Sequence, residues 1–389
     1  MADLATGQSG IVASRTIRGM SASPESAPVP PVPAQPTHLV LPFSFTGGDG
    51  DPPLAPLPDA AQLPHLRKLL ARTRWQRLFT VPLDSLTPPH EWALAHARGL
   101  PTGCTQVDAH PAPADAQTSL SGQPSAALPA KQALPWAAWD AAHLLPTPQT
   151  PAAWFTPCHQ EIGAHHVSLL PPGQLDVSEA HSRALLAALA PLALEDGIHL
   201  RWVAPDRWLA TGNVLGGVHA ASLDRVAGRS IGPWLLALPP MLRRLQSEAQ
   251  MLFYTQAAHD QRVASGQAPV NAFWVSGSGH APARSPTSQM ADTIALPQAD
   301  NVTVVTSLRE AALAGNAAGW QQAWRDIDQQ VLSAWLARAT AGDTLHIHLC
   351  GEQGWLHLCL SPTPAWQRVT QHISSFFGTH RTFDSITSL

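Results

Sequence analysis

Lysine and tyrosine are almost missing from this chain. Lys68 and Lys131 are its lysines and Tyr254 its single tyrosine, in 389 residues of which 13% are charged. An average domain carries about 25%. With a net charge of −4, the concentrated basic surface that a phosphate-backbone binder needs is excluded. The preference for Arg over Lys comes with abundant Ala and Pro and looks like the codon bias of a GC-rich bacterial genome. Cysteine is also scarce. Cys104, Cys158, Cys350 and Cys359 are too few to staple a chain of this length, which predicts a reducing, cytoplasmic setting. No run approaches the ~20 apolar residues of a membrane span. The first 36 residues lack the unbroken apolar core of a signal peptide. Neither nucleic acid nor membrane is expected as a partner.

What is present is apolar: 44% of residues, with 14 Trp and 38 Pro. That supports a large core. "SASPESAPVPPVPAQP", Ser21 to Pro36, cannot contribute to it, and residues 1–36 read as a disordered tail. Residues 37–389 read as one α/β domain, with mixed α+β as the variant, built on a mixed sheet flanked by helices. "HLVLPFSF" from His38 is the expected first strand. Pro-led helices are expected over Pro64–Trp75 and Thr87–Leu100. The stretch 101–134, rich in Pro, Ala, Ser and Gln, reads as a flexible insertion. Strands are expected on both sides of Gly163. A helix capped by Ser178 follows, then a hairpin at Pro205-Asp206 and a longest helix from Pro240 to about Ala258. A strand at "NVTVVTSL", a helix over Gly319–Gly342 and a hairpin over Asp343–Pro362 complete the pattern.

"VNAFWVSGSG", Val270 to Gly279, reads as a strand entering a Ser/Gly loop. It lacks the lysine of a phosphate-binding Walker loop. Ser278 sits directly between two glycines, which is the wrong spacing for a nucleophile elbow. The loop is therefore expected to turn the chain without supplying a nucleophile. If Glu352-Gln353 turns the last hairpin, Cys350 faces Trp355, His348 faces His357 and His346 faces Cys359, all on one face. Leu345, Ile347, Leu349, Leu356, Leu358 and Leu360 take the other. His346, His348, His357 and Cys359 are zinc-type ligands by chemistry, but a flat sheet rarely converges them into a tetrahedron, so no metal is predicted. On the helix after Pro240, Met251 and Tyr254 lie opposite the Leu242–Leu245–Ala249–Leu252 stripe, which predicts a helix sandwiched between layers. Its Arg244 and Glu248 are then expected to be buried and paired. The candidate polar pocket is Asp224, Arg225, Arg229, Arg244, Glu248, Arg262 and Asn271.

The segment "ASLDRVAGRSIGPWLLALPPMLRRLQSEAQMLFYTQAAHDQRVASGQAPVNAFWVSGSG", Ala221 to Gly279, resembles the RpfE-type regulatory protein family of bacteria. So do "LTPPHEWALAHARGL", "LPWAAWDAA", "TPCHQEIGAHHVSL" and "APDRWLATG", in the right order over most of residues 37–360. The resemblance implies a regulatory or interaction protein without catalysis, its partner or small ligand unknown. Some members are labelled cofactor-independent phosphoglycerate mutase, which implies the alternative: a phosphoryl-transfer enzyme with divalent metal. The chain departs from the family pattern at Gln160, His165, His259 and Ala272. Asp49 and Asp51 stand where the mutase's first metal-binding Asp is expected, but its later Asp-His-Gly-type block is absent, and the pairs His165-His166 and Asp140/His143 lack partners.

Overall fold

The computed structural model describes residues 37–47, 53–73, 75–104, 126–163, 166–171, 173–281 and 301–361. The expected tail at 1–36, His165, and both Asp49 and Asp51 lie outside the described residues.

Two sheets organise the domain. The larger comprises β1 (Thr37–Leu41), β2 (Trp75–Thr80), β3 (Ala126–Ala127), β10 (Val302–Val304), β11 (Leu345–Cys350) and β12 (Gly354–Leu360), in the order β10-β1-β11-β12-β2-β3. β1 runs parallel to both β10 and β11, while β12 is antiparallel to β11 and β2. The smaller sheet, β7 (His199–Ala204), β8 (Arg207–Thr211), β4 (Ala152–Cys158) and β9 (Ala272–Gly279), is antiparallel. β5 (Gln160–Ile162) and β6 (Val167–Leu169) form the small hairpin around Gly163. The mixed α/β class expected from the alternation of elements is the one observed.

Side-chain alternation on the last hairpin decides what covers the larger sheet. The predicted register holds: His346 opposes Cys359, His348 opposes His357, and Cys350 opposes Trp355. The leucine face joins Leu39 and Leu41 in a core capped by α1 (Pro64–Leu70) and the helical run from α9 (Ser307–Leu313) through α10 (Ala317–Asp326) to α11 (Ser333–Ala341), which brings in Trp320, Trp324 and Trp335. The His/Cys face is covered by α2 (Pro89–Ala97). Trp92, Ala93, Trp355 and Phe79 pack there with Trp136 and Trp139 of α3 (Trp136–Asp140), and α3 itself rests on the smaller sheet. The far face of the smaller sheet buries Phe155, Trp208, Phe273 and Val275 against α4 (Glu179–Glu195) and α7 (Pro240–Tyr254).

Several expected boundaries shift for identifiable reasons. α1 stops at Leu70 and Trp75 begins a strand, because the backbone there pairs with β12. The flanks of 101–134 are part of the fold: Leu86 N–H donates to Ala130 O at 2.8 Å, and Thr87 Oγ1 to Gln132 O at 2.7 Å. Residues 105–125 lie outside the described ones. The helix from Pro240 ends at Tyr254, α8 (Ala257–Ala264) follows, and α4 is longer, at 17 residues against 15. Ser178 caps α4, accepting from His181 N–H at 3.2 Å. Among the described residues no helix is long and apolar enough to cross a membrane.

Candidate functional site

In α/β sheets, ligands bind in the crevice outside the carboxyl ends of parallel strands. Here β10, β1 and β11 run parallel side by side, and the residues that follow each one meet. Phe43 lies just past β1, Arg309 in the first turns of α9 after β10, and Glu352 in the turn after β11. Facing them are His90 and Glu91 at the start of α2, and Ser222, Asp224, Arg225 and Arg229 around the short helix α5 (Leu223–Val226).

The contacts pair these groups with one another. Arg309 donates to both carboxylate oxygens of Asp224, and His90 Nε2 donates to Oδ2 at 3.0 Å. Burial alone raises the Asp224 carboxyl, but the hydrogen bonds from His90 and Arg309 outweigh it and hold it well below the usual carboxylate range. Arg229 pairs with Glu352, whose other oxygen accepts from Gly47 N–H at 3.2 Å. Arg225 is buried and donates to Glu352 O at 2.9 Å and Thr87 O at 3.4 Å. Burial and the neighbouring Arg229 pull its pKa down to about 10, so it stays charged. Glu91 accepts from Ser222 Oγ and, at 2.9 Å, from Trp136 Nε1. Burial raises its carboxyl above the ordinary range. Among the residues of this site, His90 Nδ1 and Arg225 Nε are buried without a partner. Phe43, whose ring lies 5.5 Å from that of His90, holds a positive φ of 56°, a strained state for a non-glycine residue.

The seven residues predicted as one pocket therefore separate. Asp224, Arg225 and Arg229 converge in the crevice. Arg244 and Glu248 do not: they pair at 3.7 Å on the outer face of α7, with Arg244 59% exposed and also bound to Asp196. The expectation of burial fails because α7 is covered on one side only, leaving Met251 67% and Tyr254 69% exposed. Arg262 is a backbone clamp, donating to the carbonyls of Ala268, Asp176 and Leu175. Asn271 bridges to Gln160, accepting from its N–H at 2.7 Å and donating to its carbonyl at 3.0 Å. His90, Glu91 and Arg309 were missed. Their signal lay in topology, since each is adjacent to the end of a parallel strand or to the helix over it.

"VSGSG" is strand rather than loop, since β9 extends to Gly279. Gly277 at φ 59° lies against α3: a Cβ there would meet Trp136 Cβ at 3.0 Å and Ala137 N at 3.2 Å. Ser278 is buried, donates to Val218 O at 2.7 Å and accepts from Ala220 N–H at 3.3 Å. It ties two chain segments together. On the last hairpin the weak zinc candidates do not gather around a point. His346 Nδ1 and His357 Nε2 engage each other at 2.9 Å, while both nitrogens of His348 are taken by His38 and Trp355. Among the described residues no group of three or more His, Cys, Asp or Glu is placed to hold a metal ion. Asp140 pairs with Arg98 at 3.3 Å.

No protein-family model matches the chain, and no curated protein matches it significantly. Among solved structures, a cofactor-independent phosphoglycerate mutase from Thermoplasma acidophilum superposes with a TM-score of 0.30 at 13% identity, over 84% of this chain and 90% of that one. The PH0037 protein from Pyrococcus horikoshii superposes with a TM-score of 0.39 at 10% identity, over 84% of this chain and 87% of that one. Superpositions this loose set up no residue correspondence.

Proposed function

We propose that the protein is a non-enzymatic regulatory or interaction protein of the RpfE type, working in the cytoplasm. One observation carries this reading. The crevice outside the strand ends is filled by charges of the chain itself, each bound to another: Asp224 to Arg309 and His90, Glu352 to Arg229. A catalyst needs its charged groups aimed at the place where charge develops in the transition state. Here they are aimed at each other, and separating a buried pair costs several kcal/mol, roughly 3–5. The exposed Met251 and Tyr254, one helical turn apart on α7, support a surface that meets a partner.

The alternative, a mutase-like phosphoryl transferase, is favoured by the position of the network at the strand ends and by the unpartnered His90 Nδ1 and Arg225 Nε. The residues present do not fit a divalent-metal centre: Asp224 is already engaged by a guanidinium and an imidazole. The deciding assay offers the purified protein 3-phosphoglycerate and p-nitrophenyl phosphate with manganese, magnesium or zinc. The reading expects no turnover above buffer. Turnover that disappears in a folded Arg225→Gln variant would establish the enzyme instead.

A further inference from the structure

Five histidines from four elements share one layer between the larger sheet and α2. They are His38 on β1, His346 and His348 on β11, His357 on β12 and His96 on α2. His38 stacks on His346 (ring centroids 4.7 Å apart, 14° between planes), and His348 on His357 (4.3 Å, 24°). His96 meets this stack edge-on, at 5.2 Å from His357 and 6.1 Å from His348, and touches Trp355 at 5.6 Å. His38, His348 and His357 are buried.

The hydrogen bonds fix where the protons sit. An indole N–H only donates, so Trp355 Nε1 gives its hydrogen to His348 Nδ1 at 3.0 Å. The neutral His348 ring must then carry its proton on Nε2 and donate to His38 Nδ1 at 2.9 Å. His38 is thereby the Nε2–H tautomer. A second proton on His348 would face the indole N–H, and one on His38 Nδ1 would face His348 Nε2–H. Protonation therefore requires the layer to open.

We propose that this layer is a pH-sensitive clasp, which holds α2 on the sheet while its rings are neutral and releases α2 when they are protonated. α2 is also the element that presents His90 to Asp224 and Glu91 to Ser222, so its release unhooks the crevice network. The inference holds whether or not the crevice turns anything over. The groups facing the buried rings come from every neighbouring element: His96 on α2, His346 and the Cys350 thiol on β11, the Cys359 thiol on β12, and Arg77 opposite His357 on β2. Burial lowers the pKa of His38 to about 3 and those of His348 and His357 well below 6.5. His96 and His346 push in the same direction, and Arg77 does so at His357. The sign follows: with folded pKa values below the unfolded one, the neutral clasp is fully in force above about pH 6.5 and is lost as the pH falls below it.

The test is amide hydrogen exchange on the chelator-treated, full-length protein from about pH 7.5 to about pH 5.5, corrected for the chemical exchange rate. Protection of α2 should fall by about tenfold or more per pH unit below about 6.5, and more steeply than that of α4. A flat response of α2, or α2 and α4 losing protection in step, would overturn the proposal. Nitrogen NMR provides a second measurement that needs no variant. Neutral His38 and His348 rings protonated at Nε2 are expected near neutral pH, and a proton on Nδ1 of either would equally refute it.

Discussion

At the residue scale, Asp224 and Arg244 show why pairing alone says little about cost. Both belong to ion pairs, but Asp224 is enclosed and Arg244 stands in solvent. Asp224→Asn leaves the Arg309 guanidinium facing a neutral amide and should cost about 3–5 kcal/mol in urea denaturation. Arg244→Ala should melt with the parent, since exposed pairs add little. Ser278 gives a third contrast. Its hydroxyl serves both Val218 O and Ala220 N–H, so Ser278→Ala should destabilise by about 1–3 kcal/mol, whereas Ser276→Ala should be nearly silent. A melting series on these four variants checks the ranking. Chemistry local to a residue was legible in the sequence: no lysine, the wrong Ser spacing, and an i,i+4 Arg–Glu pair. Burial was not, because it depends on which side of α7 another element covers.

At the element scale, the hairpin β11–β12 was read correctly down to its register, because period-two alternation of His/Cys against Leu admits one pairing around a short turn. What holds the start of α1 left no trace in the sequence, because it comes from far away in the chain. Asp328, fully buried in the π-helical segment Ile327–Leu332, accepts from the backbone N–H groups of Leu66 at 2.7 Å and His65 at 3.2 Å. Those are first-turn amides of α1, whose own N-cap position, Leu63, offers no side-chain acceptor. A cap supplied from more than 260 residues away leaves no local signature. Asp328→Ala should therefore cost at least the ~1–2 kcal/mol of a lost cap, seen as a lower urea midpoint with faster amide exchange in α1. Gly277→Ala tests the other sheet. It forces a side chain into a left-handed conformation and against α3, and it should cost more than the ~1–2 kcal/mol of the backbone term alone.

At the scale of the whole molecule, the two sheets and their helices follow the alternation of elements along the chain. The crevice does not, because its members come from segments near residues 43, 90, 224, 309 and 352 that only the parallel order β10-β1-β11 brings together. The histidine layer adds a pH dependence to the entire domain. Each deeply depressed imidazole can withdraw about 1.4 kcal/mol per pH unit below about 6.5, a sizeable part of the ~5–15 kcal/mol that holds a domain folded. Urea denaturation should show stability level above neutrality and falling steeply towards about pH 5.

The central claim, that the crevice charges bind each other and not a substrate, is tested most directly by a thermal-shift titration of the parent protein with 3-phosphoglycerate plus manganese. A ligand that binds only the folded state raises the melting temperature in proportion to the logarithm of its concentration. The account predicts an unchanged melting temperature across the titration. A dose-dependent rise that a folded Arg225→Gln variant no longer shows would contradict it, and would make the crevice a substrate site.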